Sequence, residues 1–215
     1  MKTKNLLLWP IWPLGWLLYL ILKLLLKSPN DKTIKIAILG GSKGCGKSEL
    51  WNQLRGTKNP RKPTEQIEIK SFVLGKKKNG EDVTVETTKD LGGGDLYVSS
   101  YEEIINSDDV FIYFLIDLRS IKKDAENIRA RLRKIGTILK KHKNCGVNII
   151  GTFYDKYRGV FAQNSKEDAK NEILRVLAHK PVMGIDEKKL HIHIINTTNN
   201  QDIEEIRNEI LKTLE

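Results

Sequence analysis

The residues with the clearest chemistry form one short segment, Gly41-Ser42-Lys43-Gly44-Cys45-Gly46-Lys47-Ser48. It matches the pattern G-x-x-x-x-G-K-[ST], in which backbone N–H groups converge on phosphate oxygens. Side chains at Gly41 or Gly46 would obstruct that approach. Lys47 is expected to reach the β- and γ-phosphates of a nucleotide, and the Ser48 hydroxyl to ligate Mg2+. The pattern requires a strand before the segment and a helix after it, and the sequence predicts both.

This pattern leaves open the choice between ATP and GTP, and between hydrolysis and phosphoryl transfer. Four further segments bear on these choices: Pro63-Thr64, Asp90-Leu91-Gly92-Gly93-Gly94-Asp95, Thr152-Phe153-Tyr154-Asp155 and Thr197-Thr198. In this order they resemble the Ras-like small GTPases, and among these the Arf-like branch, which has a Pro-Thr before its second strand and a D-x-G-G-Q-D after its third. That branch includes the membrane-spanning beta subunit of the signal-recognition-particle receptor, which also has one span before its G domain. The resemblance covers residues 33–215.

The resemblance implies a role for each matched position. Thr64 would ligate Mg2+ and sense the γ-phosphate, Asp90 would hold Mg2+ through water, and the Gly93 amide would bind the γ-phosphate. Loss of the γ-phosphate would release Thr64 and Gly93, so hydrolysis would become a change of shape. Asp155 would read guanine, whose N1–H and amino group form a donor pair that adenine lacks. The expected catalytic residues are Lys47, Thr64 and Gly93, the expected Mg2+ ligands are Ser48, Thr64 and Asp90, and the other expected nucleotide contacts are Gly41, Ser42, Lys43, Gly44, Cys45, Gly46, Thr152, Asp155, Thr197 and Thr198.

Four positions depart from the family pattern. Gly94 stands where the family has the glutamine that orients the attacking water, so intrinsic hydrolysis is expected to be slow. Lys43 replaces a glycine or an aspartate, and it could act as an internal cation at the γ-phosphate or obstruct an activator's arginine. Thr152 and Phe153 replace the asparagine and lysine of the base-reading motif. Phe153 could stack on the base in place of the lysine stem.

The rest of the chain reads as strands alternating with helices. Strands are predicted at 33–39, 66–74, 82–88, 110–118, 147–151 and 190–196, and helices at 47–54, 97–106, 124–143, 165–178 and 202–214. Asn79-Gly80 predicts a hairpin turn and one antiparallel edge. The strands are apolar on both faces, which predicts an α/β fold: a P-loop G domain over residues 33–215, with a mostly parallel sheet of about six strands flanked by helices. Such sheets bind ligands at the carboxyl ends of their strands.

The N-terminal 27 residues are strongly hydrophobic. Leu6 to Leu22 contains 17 residues without a charge, and three leucines follow Lys23. A bilayer-spanning helix needs about 20 apolar residues. The favoured prediction is therefore a single-pass anchor that contacts lipid through residues 6–26, followed by a linker at 28–32, with lysines placing the G domain in the cytoplasm. An interfacial helix and a helix buried in the domain are the alternatives, whereas a cleaved signal peptide is excluded because no small-residue cleavage site follows.

Composition and the remaining polar clusters narrow the class of protein. Charged residues are 30% and hydrophobic residues 40% of the chain, which is typical of a globular domain. Cys45 and Cys145 belong to no C-x-x-C, which excludes a disulfide-rich scaffold and a cysteine zinc site. His191 and His193 alternate along one strand, and without a third ligand they are expected to be a solvent-facing pair.

The predicted helix at 124–143 is basic, and the net charge of the chain is +10. A solvated face explains its cations, and contact with anionic lipid is the alternative. Nucleic acid is disfavoured as a partner, since aromatic residues that would stack on bases are not interleaved with the cations. The cations expected opposite a core stripe of Ile128, Leu132, Ile135 and Leu139 are Arg129, Arg131, Arg133, Lys134, Lys140, Lys141 and Lys143.

Three functions compete. The first is a membrane-anchored switch that binds GTP with Mg2+, hydrolyses it slowly and recruits an effector protein. The second is a pseudo-GTPase scaffold subunit of a membrane complex, which Gly94 and Phe153 favour. The third is an ATPase or kinase, although no arginine-rich lid is visible in the sequence. Each matched residue also has a plain alternative: a solvated carboxylate for Asp155, a loop threonine for Thr64 and a glycine-rich turn for Asp90.

Overall fold

The computed structural model describes residues 32–57, 66–107, 109–142, 145–158, 165–177, 185 and 190–215. The strands in these ranges are β1 (Lys32–Gly40), β2 (Gln66–Ile69), β3 (Phe72–Lys76), β4 (Asp82–Val85), β5 (Thr88–Leu91), β6 (Val110–Asp117), β7 (Val147–Thr152) and β8 (Leu190–Ile194). The helices are α1 (Lys47–Arg55), α2 (Tyr101–Ile104), α3 (Ala125–Leu139), α4 (Tyr154–Arg158), α5 (Lys166–Leu177) and α6 (Asn200–Thr213). A 3-10 helix, Asp95–Ser100, leads into α2.

A six-stranded sheet in the order β3-β4-β1-β6-β7-β8 forms the centre of the fold. β1 pairs in parallel with β4 and β6, and β7 pairs in parallel with β6 and β8. Among the described strands of this sheet only β3 runs antiparallel, beside β4. The prediction of an α/β fold with a mostly parallel sheet and one antiparallel edge is therefore confirmed.

Helices cover both faces of this sheet, because its central strands are apolar on both sides. On one face the buried residues of α1 and α6 pack together with those of β1, including Leu50, Trp51 and Ile206. On the other face α3 and α5 pack against β6 and β7. The predicted core stripe of α3 is confirmed, since all of its four residues are buried: Ile128, Leu132, Ile135 and Leu139.

The region between α1 and β6 differs from the prediction. The single strand predicted at 66–74 is two strands, β2 and β3, separated by the exposed residues Lys70 and Ser71. β3 joins the central sheet, whereas β2 pairs antiparallel with β5 in a separate two-stranded sheet. The strand predicted at 82–88 likewise ends at Val85, and β5 begins at Thr88. The predicted helix near 97–106 is a 3-10 helix followed by the single turn of α2.

The predicted anchor at residues 1–27 and most of the predicted linker lie outside the described residues. Within the part of the chain that the structure describes, no helix combines the length and the apolar character that crossing a membrane needs.

Candidate phosphate-binding site

The segment 41–48, called here the phosphate loop, connects β1 to α1 at the carboxyl end of the central sheet. Gly44 and Gly46 have φ values of 78° and 97°, in the left-handed region that favours glycine. Gly41 needs to be glycine for a different reason, since a Cβ there would lie 2.6 Å from a carbon of Ile128. The glycines of the motif are thus explained by backbone shape and by packing against α3.

Lys47 begins α1, and its side chain points into the protein. Only 7% of the residue is exposed, and its ammonium lies 3.8 Å from the Cys45 sulfur. No carboxylate of the described residues forms an ion pair with it. A buried ammonium without an anionic partner is costly, and phosphate oxygens would offset that cost.

Ser48 and Asp90 meet beside Lys47. The Ser48 hydroxyl donates to Asp90 Oδ2 at 2.5 Å, while the buried Oδ1 atom has no hydrogen-bond partner. Burial raises the pKa of Asp90, although the hydrogen bond from Ser48 and the charge of Lys47 oppose this shift. The hydroxyl and the carboxylate oxygens fit Mg2+, which is bound through one or two carboxylates together with water and phosphates. Thr64, the third predicted ligand, lies outside the described residues.

Residues 90–95, called here the second loop, lie directly against the phosphate loop. A Cβ added to Gly93 would overlap the Cα of Lys43 and would lie 2.8 Å from its backbone nitrogen. Only glycine fits there, so the loops approach each other as closely as the backbone allows. Gly94 is exposed and has an extended backbone with φ −77° and ψ 162°.

Arg131 joins these two loops, and its predicted place on a solvated face of α3 is wrong. Only 4% of it is exposed, and its guanidinium donates to the Gly40 carbonyl at 2.8 Å, to the Gly93 carbonyl at 2.9 Å and to Asp95 at 2.7 Å. The spacing offered a signal for this, because position 131 falls three residues after Ile128 and four before Ile135.

The other cations of the predicted helix at 124–143 differ in how far they are exposed. Arg129 is half-buried and donates to the Val176 carbonyl at 3.3 Å, so it too departs from the solvated-face prediction. Arg133 is exposed, as predicted, whereas Lys134 is half-buried. Lys140 and Lys141 follow the end of α3; both are exposed, as predicted, and Lys141 pairs with Glu102. Lys143 lies outside the described residues.

Thr152, at the end of β7, anchors the loop predicted to read the base. Its buried hydroxyl lies 2.9 Å from the Cys45 carbonyl and 3.2 Å from that of Ile116, both of which are acceptors. Thr197 is also buried, and both threonines place methyl groups within 3.7 Å of where a Cβ on Gly46 would lie. Thr152 and Thr197, both predicted to contact the nucleotide, therefore pack against the phosphate loop at Cys45 and Gly46.

Phe153 follows, and its φ is 58°. Among the described residues it is the non-glycine residue with a positive φ. The Arg119 guanidinium lies 3.7 Å from the centroid of its ring, and two hydrogen bonds to Asp117, at 2.9 and 2.6 Å, fix that guanidinium. The Asp117 hydrogen bonds raise the pKa of Arg119, and the charge of Asp155 adds to the shift. Sequence reasoning missed Asp117 and Arg119, because no motif marks them.

Asp155 and Thr198 lie at the same end of the sheet, and both are exposed. Asp155 is in the first turn of α4, and the Thr198 hydroxyl donates to Asn196 at 2.7 Å. The structure thus brings together the phosphate loop, Asp90, Gly93, Thr152 and Thr197, and it leaves Asp155 and Thr198 accessible beside them.

A cleft of about 380 Å³ opens where the two loops meet α3. Its cations are Lys43, Lys123 and Arg131, and Gly93 and Gly94 line it as well. Two carboxylates also line the cleft: Asp95, which pairs with Arg131, and Asp124, which accepts a hydrogen bond from Ser120. Three cations against two carboxylates leave the lining with a small positive excess, carried by the exposed Lys43 and Lys123. The cleft is suited to an anionic group next to the phosphate loop.

A second cavity of about 390 Å³ lies at the opposite, amino-terminal edge of the sheet, far from the loops that carry the motifs. His191 and Glu209 line it. His191 is exposed, as predicted, but His193 is half-buried and lies 3.4 Å from Glu209. Within the described residues no group of three or more His, Cys, Asp or Glu side chains could hold a metal ion.

No protein-family model matches the chain, and a search of curated proteins gives no significant match.

Proposed function

We propose that this protein is a membrane-anchored guanine-nucleotide switch of the Ras-like, Arf-like type, which binds GTP with Mg2+, hydrolyses it slowly and recruits a partner protein. The observation that carries the proposal is the buried Lys47 ammonium beside the Ser48–Asp90 pair, at the end of a glycine loop. A buried cation and a buried carboxylate oxygen without a partner are costly in an apolar core, and a magnesium-bound phosphate chain satisfies both.

Each residue would have a defined task. Lys47 would neutralise phosphate charge, while Ser48 and Asp90, together with Thr64, would hold Mg2+. The Gly93 amide would donate to the terminal phosphate, because the second loop already lies against Lys43. When bound, Mg2+ supplies charge neutralisation across the β- and γ-phosphates.

Guanine selectivity would come from Asp155, which is exposed at the carboxyl end of the sheet. Phe153 would offer a ring to the base, held in place by Arg119 on one face.

A scaffold that binds nucleotide without turnover is the second candidate. Gly94 favours it, since this exposed position lacks the side chain that would orient the attacking water. The two candidates share the binding site and differ in hydrolysis.

The test uses the full 215-residue chain in detergent, titrated with fluorescent GTP, GDP and ATP in the presence of Mg2+, followed by measurement of phosphate release. Guanine-selective binding with slow release supports the switch, and binding without release supports the scaffold. The Asp155→Ala variant is expected to weaken GTP binding far more than ATP binding. Equal affinity of the intact chain for GTP and ATP would overturn the guanine assignment.

The anchor has its own test. A chain lacking residues 1–27 is expected to remain in the supernatant when membranes are sedimented, whereas the full chain pellets with them. Sedimentation of the shortened chain with membranes would contradict the anchor.

A further inference from the structure

Arg131 is the residue that connects the two loops of the candidate site. Its side chain reaches from the middle of α3 to the Gly40 carbonyl, one residue before the phosphate loop, and to the Gly93 carbonyl in the second loop. The same guanidinium pairs with Asp95 at 2.7 Å. One buried cation therefore holds three acceptors from two segments that are about 50 residues apart in sequence.

These contacts restrain the part of the second loop that matters most for phosphate recognition. A hydrogen bond to the Gly93 carbonyl fixes the peptide plane between Gly93 and Gly94, because the carbonyl belongs to that planar unit. The Gly93 N–H belongs to the preceding peptide plane, and Gly93 packs directly on the backbone of Lys43. With its carbonyl held by Arg131 and its Cα held against Lys43, Gly93 has little freedom to swing its amide away from the phosphate loop. Every acceptor in the set is a protein atom, so the restraint needs no phosphate.

We propose that Arg131 is a positioning residue that pre-orders the second loop and so sets the preference of the site for nucleoside triphosphate over diphosphate. The inference rests on the proposed function, in which the Gly93 amide meets the γ-phosphate. A loop that is already ordered loses less conformational freedom on binding, and the apparent affinity rises with the fraction of molecules in the competent conformation. A diphosphate makes no contact at Gly93, so its affinity does not depend on this order.

Asp95 contacts the Arg131 guanidinium from the solvent-facing side. Its side chain is 82% exposed, yet it pairs with the buried guanidinium. It therefore covers the outer edge of Arg131 and ties the start of the 3-10 helix to α3. Removing the charge of Asp95 weakens one contact and leaves both carbonyl contacts of Arg131 in place.

The test compares the affinity of the full chain in detergent for a non-hydrolysable GTP analogue and for GDP, both with Mg2+. Arg131→Met removes all three contacts. Arg131→Lys retains the positive charge but lacks the two guanidinium nitrogens that donate in different directions. Asp95→Asn removes the charge of the third acceptor. Arg133→Met is the matched control, because Arg133 is exposed on the same helix. Circular dichroism and thermal unfolding establish that each variant folds.

We expect Arg131→Met to weaken binding of the triphosphate analogue about tenfold, because the one charge-assisted hydrogen bond from the Gly93 amide to the γ-phosphate is weakened, and to change GDP affinity less than about twofold. Arg131→Lys should restore part of the loss, Asp95→Asn should show a smaller loss of the same selectivity, and Arg133→Met should match the unmodified chain. A merely structural role would instead weaken both nucleotides together.

Equal effects on the two nucleotides, or none, overturn the positioning role while the proposed function stands. If the unmodified chain binds neither nucleotide, the proposed function fails and this inference fails with it. If Arg131→Met does not fold, Arg131→Lys and Asp95→Asn decide the question, and the absence of a triphosphate-selective loss in both overturns the inference.

Discussion

Thr152 donates its hydroxyl to the Cys45 carbonyl at 2.9 Å, so the end of β7 is tied to the centre of the phosphate loop. The two residues are 107 positions apart in sequence, and both are buried. The segment that would read the base and the segment that would hold the phosphates thus share one hydrogen bond. Their relative position is set by protein contacts, which would suit a nucleotide recognised at both its base and its phosphates.

Replacing Thr152 with valine preserves the shape of the side chain and removes the donor. We expect the free energy of unfolding to fall by about 1–3 kcal/mol, because a buried carbonyl loses its partner. Nucleotide affinity should fall as well, because the base-reading loop and the phosphate loop lose the hydrogen bond that fixes their relative position. Chemical denaturation and nucleotide titration measure the two effects. Thr137→Val, at an exposed position of α3, is the control and should change stability by less than about 0.5 kcal/mol; an equal change in both variants would contradict the role of Thr152.

Lys47→Met should separate binding from stability. The variant removes the buried ammonium, so nucleotide affinity should fall at least about a hundredfold, as expected when several charge-assisted hydrogen bonds are lost. Without nucleotide, the free energy of unfolding should stay equal or rise, because burial removes the Lys47 ammonium from water and none of the described carboxylates lies within ion-pair distance of it. Titration with GTP and denaturation without nucleotide test the two statements.

The control for Lys47 is Lys76→Met, on the edge strand β3, where the lysine is exposed. It should leave nucleotide affinity unchanged. Tight GTP binding by the Lys47→Met variant would contradict the assignment of residues 41–48 as the phosphate loop.

The local elements of the site were predictable, and the contacts between them were not. The apolar run before Gly41 and the glycine pattern after it predict β1, the loop and α1, because each signal lies within a few neighbouring residues. The alternation at 66–74 gave no sign that β2 leaves the central sheet, since pairing with β5 decides this. The partners of Arg131 likewise depend on how α3 packs against the end of β1, whereas its charge alone predicts a solvent-exposed side chain.

The burial of Asp90 predicts a pH dependence of Mg2+ binding. Its pKa in the folded protein is raised above the ordinary value of 3.8. Without metal, the stability that protonation contributes is fully present below that ordinary value and is lost as the pH rises through the raised pKa. Mg2+ needs the ionised carboxylate, so protons compete with the metal at a higher pH than for an exposed aspartate.

We therefore expect Mg2+-dependent nucleotide affinity to fall on mild acidification, with a midpoint above 3.8. Titrations of nucleotide with and without Mg2+ across the acidic to neutral range measure this midpoint. In Asp90→Asn the Mg2+ dependence should be largely lost at every pH. An unchanged Mg2+ dependence in that variant would place the metal elsewhere.

Gly94 decides between the switch and the scaffold, because it occupies the position at which the resemblance expects the water-orienting glutamine. Its φ of −77° and ψ of 162° suit any residue, and among the described residues a Cβ there would meet Tyr97 alone, at 3.9 Å. Gly94→Gln is therefore compatible with the fold, and its side chain would begin at the rim of the cleft that Lys43 and Arg131 line.

We expect Gly94→Gln to accelerate phosphate release at least about tenfold, which is below the usual contribution of a positioned acid–base group because the new side chain is not pre-ordered. Affinity for GTP should remain unchanged. Gly94→Ala supplies the matched control, since it adds the Cβ and the backbone restriction without the amide. Single-turnover phosphate release measures both variants; acceleration by alanine as well would attribute the effect to loop order, and no acceleration by either would mean that the site lacks more than the glutamine, as a scaffold would.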